Sequence, residues 1–180
     1  MATIAGTFGN DRLVGTDGDD FINPRDNDGG FDGYDEIVAS AGDDRITFQD
    51  VSDGWVSLLY TDLSSPINAL LDGVSGSGTI IKGVLGTDTY ENVNNVFDAG
   101  WTTGGLGLYA TAYDDRINIM TDDQQWLMVS GGDGQDSYLI QGDGLVRLDF
   151  KSAFTSGLIA DLATGVISND GYGNSETITG

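Results

Sequence analysis

Asp11, Asp20, Asp35 and Asp44 recur in one fixed setting. Each is the sixth residue of a nine-residue unit whose fourth residue is Gly (Gly9, Gly18, Gly33, Gly42) and whose eighth is aliphatic (Leu13, Ile22, Ile37, Ile46). The units read GTFGNDRLV, GTDGDDFIN, GFDGYDEIV and ASAGDDRIT, between Gly6 and Thr47. A carboxylate following a glycine turn is suited to binding a cation. Glycine tolerates positive φ and lets several carbonyl oxygens converge, and the sixth-position Asp adds a carboxylate to that ring. Hard oxygen ligands of this kind suit Ca²⁺, whereas zinc or a soft metal would want the His and Cys that this chain lacks. Third-position Asp17, Asp32 and Asp133 offer a second carboxylate in three of the turns.

The elements that position these groups follow from the same spacing. The first half of each unit is a turn and the second half a very short strand. The aliphatic residue is expected to point away from the Asp, into a thin core. Alternate turns fall on opposite sides, which places Asp11 with Asp32 and Asp35 on one side and Asp17 and Asp20 with Asp44 on the other.

The pattern resembles the hemolysin-type calcium-binding nonapeptide of the RTX family, G-G-x-G-x-D followed by x-aliphatic-x. The fullest match is GGDGQDSYL at 131–139, which carries Gly134 and Asp136. A degenerate copy, ATAYDDRIN at 110–118, carries Asp115 but has Tyr113 where the glycine belongs. The resemblance implies an all-β chain wound as a parallel β-roll, a β-solenoid, binding several Ca²⁺ ions. It also implies export by a type I pathway and a place outside the cell or on its surface.

Composition bears on partners. Acids number 29 against 7 basic residues, for a net charge of −22, and only Glu36, Glu91 and Glu176 among the acids are Glu. Short Asp side chains suit tight turns that fold back on a cation, where a merely solvated surface would use Glu freely. The charge argues against nucleic acid or anionic lipid as a partner. With no Cys there is no disulfide framework. The N-terminus has neither the basic nor the apolar region of a Sec signal, and no apolar run is long enough to span a membrane.

A longer period lies over the nonapeptide. Val56, Leu58 and Tyr60 alternate with Ser57 and Leu59, followed by alternation over 67–71, and the same succession returns at 146–150 and 158–162, about 90 residues on. The chain therefore divides into a first nonapeptide block (1–54), an irregular β-rich spacer (55–109), a second block (110–144) and a truncated spacer copy (145–180), in one elongated body. The phrase GTDTYENV at 86–93 is echoed by NSETITG at 174–180, as expected of a piece of a longer repetitive protein whose neighbouring domains are partners. Pro24–Gly29 reads as a looped-out insertion. No amphipathic helix is expected.

Other chemistries compete less well. The Asp residues could cap turns without metal. Trp55, Trp101 and Trp126 could stack a sugar, or plug the ends of the roll. Without His or Cys, serine triads, thiol nucleophiles and His-ligated zinc are excluded, and the remaining paired-carboxylate chemistry would need groups already placed in repeats, so no enzyme activity is expected. An ice-binding ladder would need one small residue type at a fixed strand position, and the seventh and ninth positions vary too much for that.

Overall fold

The computed structural model describes residues 1–24, 33–49, 54–97, 104–150 and 157–180. Asp32, Trp101 and most of the Pro24–Gly29 insertion lie outside them. The strands of the first block are β1 (Ala2–Ala5), β2 (Arg12–Val14), β3 (Asp20–Asn23), β4 (Tyr34–Val38) and β5 (Arg45–Thr47). β6 (Gly54–Leu59), β7 (Asn68–Asp72), β8 (Ser77–Ile81) and β9 (Thr87–Glu91) follow, with a 3-10 turn at Gly83–Leu85. After a short helix, α1 (Val93–Phe97), come β10 (Gly104–Tyr109), β11 (Arg116–Thr121), β12 (Trp126–Ser130), β13 (Ser137–Gly142) and β14 (Leu145–Leu148). β15 (Ile159–Asp161), β16 (Val166–Asn169) and β17 (Glu176–Thr179) complete the order.

Among the described residues these strands form two sheets, with little helix beside them, and the chain is all-β. One sheet runs β1-β3-β5-β9-β8-β7-β11-β13-β17-β16-β15 and the other β14-β12-β10-β6-β4-β2. Through β6, and again from β10 to β14, successive strands alternate between the sheets, so two strands and two turns make one circuit. Each strand then pairs in parallel with the next strand of its own sheet: Leu13 with Ile37, Ile22 with Ile46 and Ile117 with Tyr138. The first and third units therefore share one side and the second and fourth the other, as the spacing predicts.

The larger sheet is mixed, which corrects the expectation of a purely parallel roll. The spacers are not irregular interruptions. Each contributes an antiparallel excursion, β7-β8-β9 and β15-β16-β17, to the larger sheet. Their turns have the same construction: Asp72 Oδ1 accepts the amides of Val74 and Ser75 ahead of Gly76 at φ 74°, and Asp161 Oδ1 accepts that of Ala163 ahead of Gly165 at φ 68°. A short Asp folding onto the following amides and a glycine in the left-handed region reverse the chain. The long period thus records a hairpin.

The core lies between the sheets, with Ile22, Ile46, Ile80 and Ile117 from the larger meeting Leu13, Ile37, Val56 and Leu106 from the smaller. Phe48, Val96 and Phe97 extend it, the last two from α1, a helix that the sequence reading does not anticipate. Among the described residues no helix is long and apolar enough to cross a membrane. β15 is an edge strand, and Leu158, Ile159 and Leu162, in it and flanking it, are exposed.

Candidate functional site

The sixth-position Asp residues point into the protein. Asp20, Asp35, Asp44, Asp115 and Asp136 are each at most 2% exposed, and only Asp11 is partly open. The expectation that the aliphatic residue points away from the Asp is therefore corrected. Successive strand residues face opposite ways, so positions six and eight share a face: Asp20 with Ile22, Asp35 with Ile37.

Each buried carboxylate grips a neighbouring part of the chain, and Asp20, Asp44 and Asp115 grip their own turn as well. One oxygen accepts an amide of the preceding circuit: Asp35 from Asp11 (2.9 Å), Asp44 from Asp20 (2.9 Å), Asp136 from Asp115 (2.8 Å). The ladder begins with Asp20 accepting from Ala2 (2.8 Å) and resumes after the hairpin with Asp115 accepting from Ile67 (2.7 Å). In Asp20, Asp44 and Asp115 the other oxygen turns to the hydroxyl residue four positions earlier. Thr16 donates to Asp20 through both amide (2.6 Å) and hydroxyl (2.8 Å), Thr111 does the same to Asp115, and the Ser40 hydroxyl reaches Asp44 at 3.0 Å. The amide of Thr16 is the main cause holding Asp20 below the usual carboxylate range.

A second ladder runs along the fifth positions on the outside. Asn10 accepts from the amide of Tyr34, Asp19 from Asp43, Asp43 from Thr87 and Asp114 from Gln135, at 2.7 to 3.0 Å. Here the side chain holds the following circuit. Adjacent residues such as Asp43 and Asp44 thus clamp the neighbours on both sides, a role that the recurring Asn-Asp and Asp-Asp pairs in the sequence could have signalled.

The glycines divide by place. Gly42 (φ 101°) and Gly134 (φ 122°) need their positive φ, and an added Cβ would come within 2.5 Å of Gly18 and 2.6 Å of Tyr113 backbone. Gly9 and Gly18 do not adopt positive φ, and Gly18 faces open space. Gly33 too lies outside the left-handed region. Third-position Asp17 and Asp133 sit on exposed turns, Asp133 accepting from the Gly134 amide and from Asn174 Nδ2 at 2.6 Å.

The buried charges are unevenly balanced. Among the described residues, the ladder Asp residues are joined inside by Asp88, Asp170 and Glu176, against a single buried cation, Lys82. Lys82 is fully buried and spends its three N–H groups on the Ser40 carbonyl (2.7 Å), Asp44 Oδ2 (3.3 Å) and Asp88 Oδ1. The Tyr60 hydroxyl donates to the other Asp88 oxygen and, with that proton committed, Tyr90 donates to Tyr60. Burial pushes Asp88 up to about 6 against the pull of Lys82 and Tyr60.

In the second half no such cation appears among the described residues. Burial pushes Asp115 up to about 6, Asp136 to about 7 and Glu176 to about 8, with neighbouring carboxylates adding to all three. Tyr138 lies against Glu176, its phenol raised chiefly by burial. Asp136 Oδ2 and Asp35 Oδ2 are buried without a hydrogen-bond partner, and the Glu176 carboxylate has only the Tyr138 hydroxyl beside it. These are hard anionic donors of the kind calcium takes. No three His, Cys, Asp or Glu side chains among the described residues converge as a metal-holding group.

Trp55 and Trp126 sit on the outer face of the smaller sheet, their rings in an edge contact at 4.9 Å over Gly105, where a Cβ would come within 2.5 Å of Trp126. Trp126 is 8% exposed, so its ring has little face left for a sugar, and neither ring plugs an end of the stack. The surface pairs Arg12–Glu36 and Arg45–Glu91, both at 2.7 Å, tie circuits from outside. Exposed pairs of this kind contribute little. No family model, curated protein or solved structure matches this chain.

Proposed function

We propose that this chain is a calcium-binding structural module of a secreted bacterial protein, an RTX-like roll in finer detail. It stays loose where calcium is scarce, leaves by a type I exporter and folds outside the cell beside the other domains of its parent. The module is a scaffold and not an enzyme.

The observation that carries this reading is the excess of buried carboxylate over buried cation. A buried ionised carboxylate is costly unless it is paired, fully hydrogen-bonded or neutralised. Backbone amides and hydroxyls satisfy most of the first-block carboxylates. They leave Asp35 and Asp136 with free oxygens and Glu176 with only the Tyr138 hydroxyl, in a chain whose net charge of −22 opposes compaction. A divalent cation drawn from the medium relieves both costs. Each site held at about 100 times its Kd adds roughly 2.7 kcal/mol to the folded state, against a typical domain stability of about 5 to 15 kcal/mol.

The test is a calcium titration of the chelator-stripped protein followed by far-UV circular dichroism, with magnesium as control. A cooperative gain of β-signal near millimolar calcium supports the reading. A stripped protein that is already folded and indifferent to calcium overturns it.

A further inference from the structure

The two hairpin excursions build one local arrangement twice. In the first, Arg45 pairs with Thr89, which makes Asp44 and Asp88 neighbours across parallel strands, and the Thr89 amide donates to the Asp44 carbonyl at 2.8 Å. In the second, Ser137 pairs with Thr177, which makes Asp136 and Glu176 the same neighbours, and the Thr177 amide donates to the Asp136 carbonyl at 3.0 Å. Antiparallel partners match as well: buried Ile80 faces Asp88 and buried Ile167 faces Glu176.

The turn leading into each acid is closed alike, by Lys82 N–H to the Gly86 carbonyl and by Asp170 N–H to the Asn174 carbonyl. Lys82 stands six residues before Asp88, and Asp170 six before Glu176. Where the first copy has a buried ammonium, the second has a buried carboxylate. Asp170 turns its Oδ1 to the amides of Tyr172, Gly173 and Asn174 and offers nothing positive to its neighbours.

The consequence appears in the oxygens. In the first copy Asp44 Oδ2 and Asp88 Oδ1 both bind Lys82. In the second, Asp136 Oδ2 has no partner, and Glu176, 1% exposed, faces only the Tyr138 hydroxyl, with no cation reaching either acid among the described residues. Gly132 holds the place of Ser40, four residues before the ladder Asp, and lacks the hydroxyl that Ser40 gives to Asp44.

We propose that the space between Asp136 and Glu176 is a divalent-cation site, taking calcium where the first copy carries the ammonium of Lys82. The proposal rests on the calcium reading for the kind of ion and departs from it in place, because Glu176 lies outside the nonapeptide pattern. Two carboxylates flank the ammonium in the first copy, and two flank the ion in the second, with water and backbone carbonyls completing the hard-oxygen shell that calcium takes.

The test is equilibrium dialysis of the full chain against radioactive calcium, native and Glu176→Gln, with far-UV circular dichroism on the same samples. Glu176→Gln is expected to bind one ion fewer, or to hold it at least about tenfold more weakly. An unchanged stoichiometry and affinity in the folded variant overturns the site.

Should Glu176→Gln fail to fold, Tyr138→Phe keeps the ring in the core and removes only its hydroxyl. In the native chain, terbium at this site is expected to emit through Tyr138, and the variant to lose about tenfold of that tyrosine-sensitised emission; equal emission overturns the site. Calcium that neither binds nor folds the native chain removes both readings. Calcium-driven folding with unchanged Glu176→Gln stoichiometry removes this one alone. One ion lost from a chain that is folded without calcium leaves the site standing and removes calcium-driven folding.

Discussion

The amide of Asp20 donates to the carboxylate of Asp44, 2.9 Å away and 24 residues along the chain, and that carboxylate's other oxygen meets both Ser40 and Lys82. One buried side chain thus joins two circuits, its own turn and the only buried cation among the described residues.

Removing that carboxylate leaves the Asp20 amide without an acceptor and Lys82 with a lost counter-charge. Asp44→Ala is expected to destabilise the fold by about 3 to 5 kcal/mol, the range for breaking a buried pair. Asp43→Ala, which costs one exposed bond to the Thr87 amide, is expected to lose about 0.5 to 1.5 kcal/mol. Urea unfolding of the two variants measures the contrast, and equal losses would refute the inner ladder as the stronger clamp.

Lys82→Met is expected to be severely destabilising, because Asp44 and Asp88 remain buried without a cation. Adding Asp88→Leu to Lys82→Met is expected to recover part of the loss, since replacing both members of a buried pair by apolar groups removes the stranded charge. A double-mutant cycle in urea reads the coupling. Additive losses would mean that Lys82 acts by packing alone.

Stability of the metal-free chain is expected to fall as pH rises. Asp88 and Asp115 at about 6, Asp136 at about 7 and Glu176 at about 8 all lie above the unfolded values of about 3.9 for Asp and 4.3 for Glu. Between the unfolded and folded values the folded chain binds more protons than the unfolded one, so the slope of stability against pH is negative. Protonation favours the fold fully below about pH 4, and that advantage is lost progressively by about pH 8. Thermal unfolding in chelator at pH 5 and pH 8 checks the sign, and a higher midpoint at pH 8 would contradict it.

The glycine column predicts unequal tolerance. Gly42→Ala is expected to be destabilising by more than the ~1 kcal/mol of an ordinary glycine effect, because its φ of 101° and the Gly18 backbone at 2.5 Å both oppose a Cβ. Gly18→Ala, facing open space, is expected to be near neutral. Differential scanning calorimetry of the pair is sufficient to decide it.

Much of this arrangement is legible in the sequence. The nine-residue units give the alternation of Leu13, Ile22, Ile37 and Ile46 between two sheets, whereas the 90-residue echo marks a repeated spacer without showing that its strands fold back as antiparallel hairpins. The facing of Asp20 and Asp44 was available too, since residues two apart on a strand share a side, but a turn chemistry suited to calcium suggests an outward carboxylate. Lys82 carried no pattern at all. Its partners, Asp44 and Asp88, lie 38 and 6 residues away, and only the register of β5, β9 and the hairpin brings them together. The five residues of α1 are too few to show a helical period, and their place is set by the burial of Val93, Val96 and Phe97.

Lys82 also gives the first half a form of permanence. An ion is held in proportion to its concentration and can be stripped by a chelator, whereas an ammonium on a covalent tether faces its carboxylates at an effective concentration fixed by the chain itself. The charge that closes the Asp44–Asp88 seam is encoded in the gene and travels with the polypeptide, indifferent to dilution, compartment and the composition of the medium.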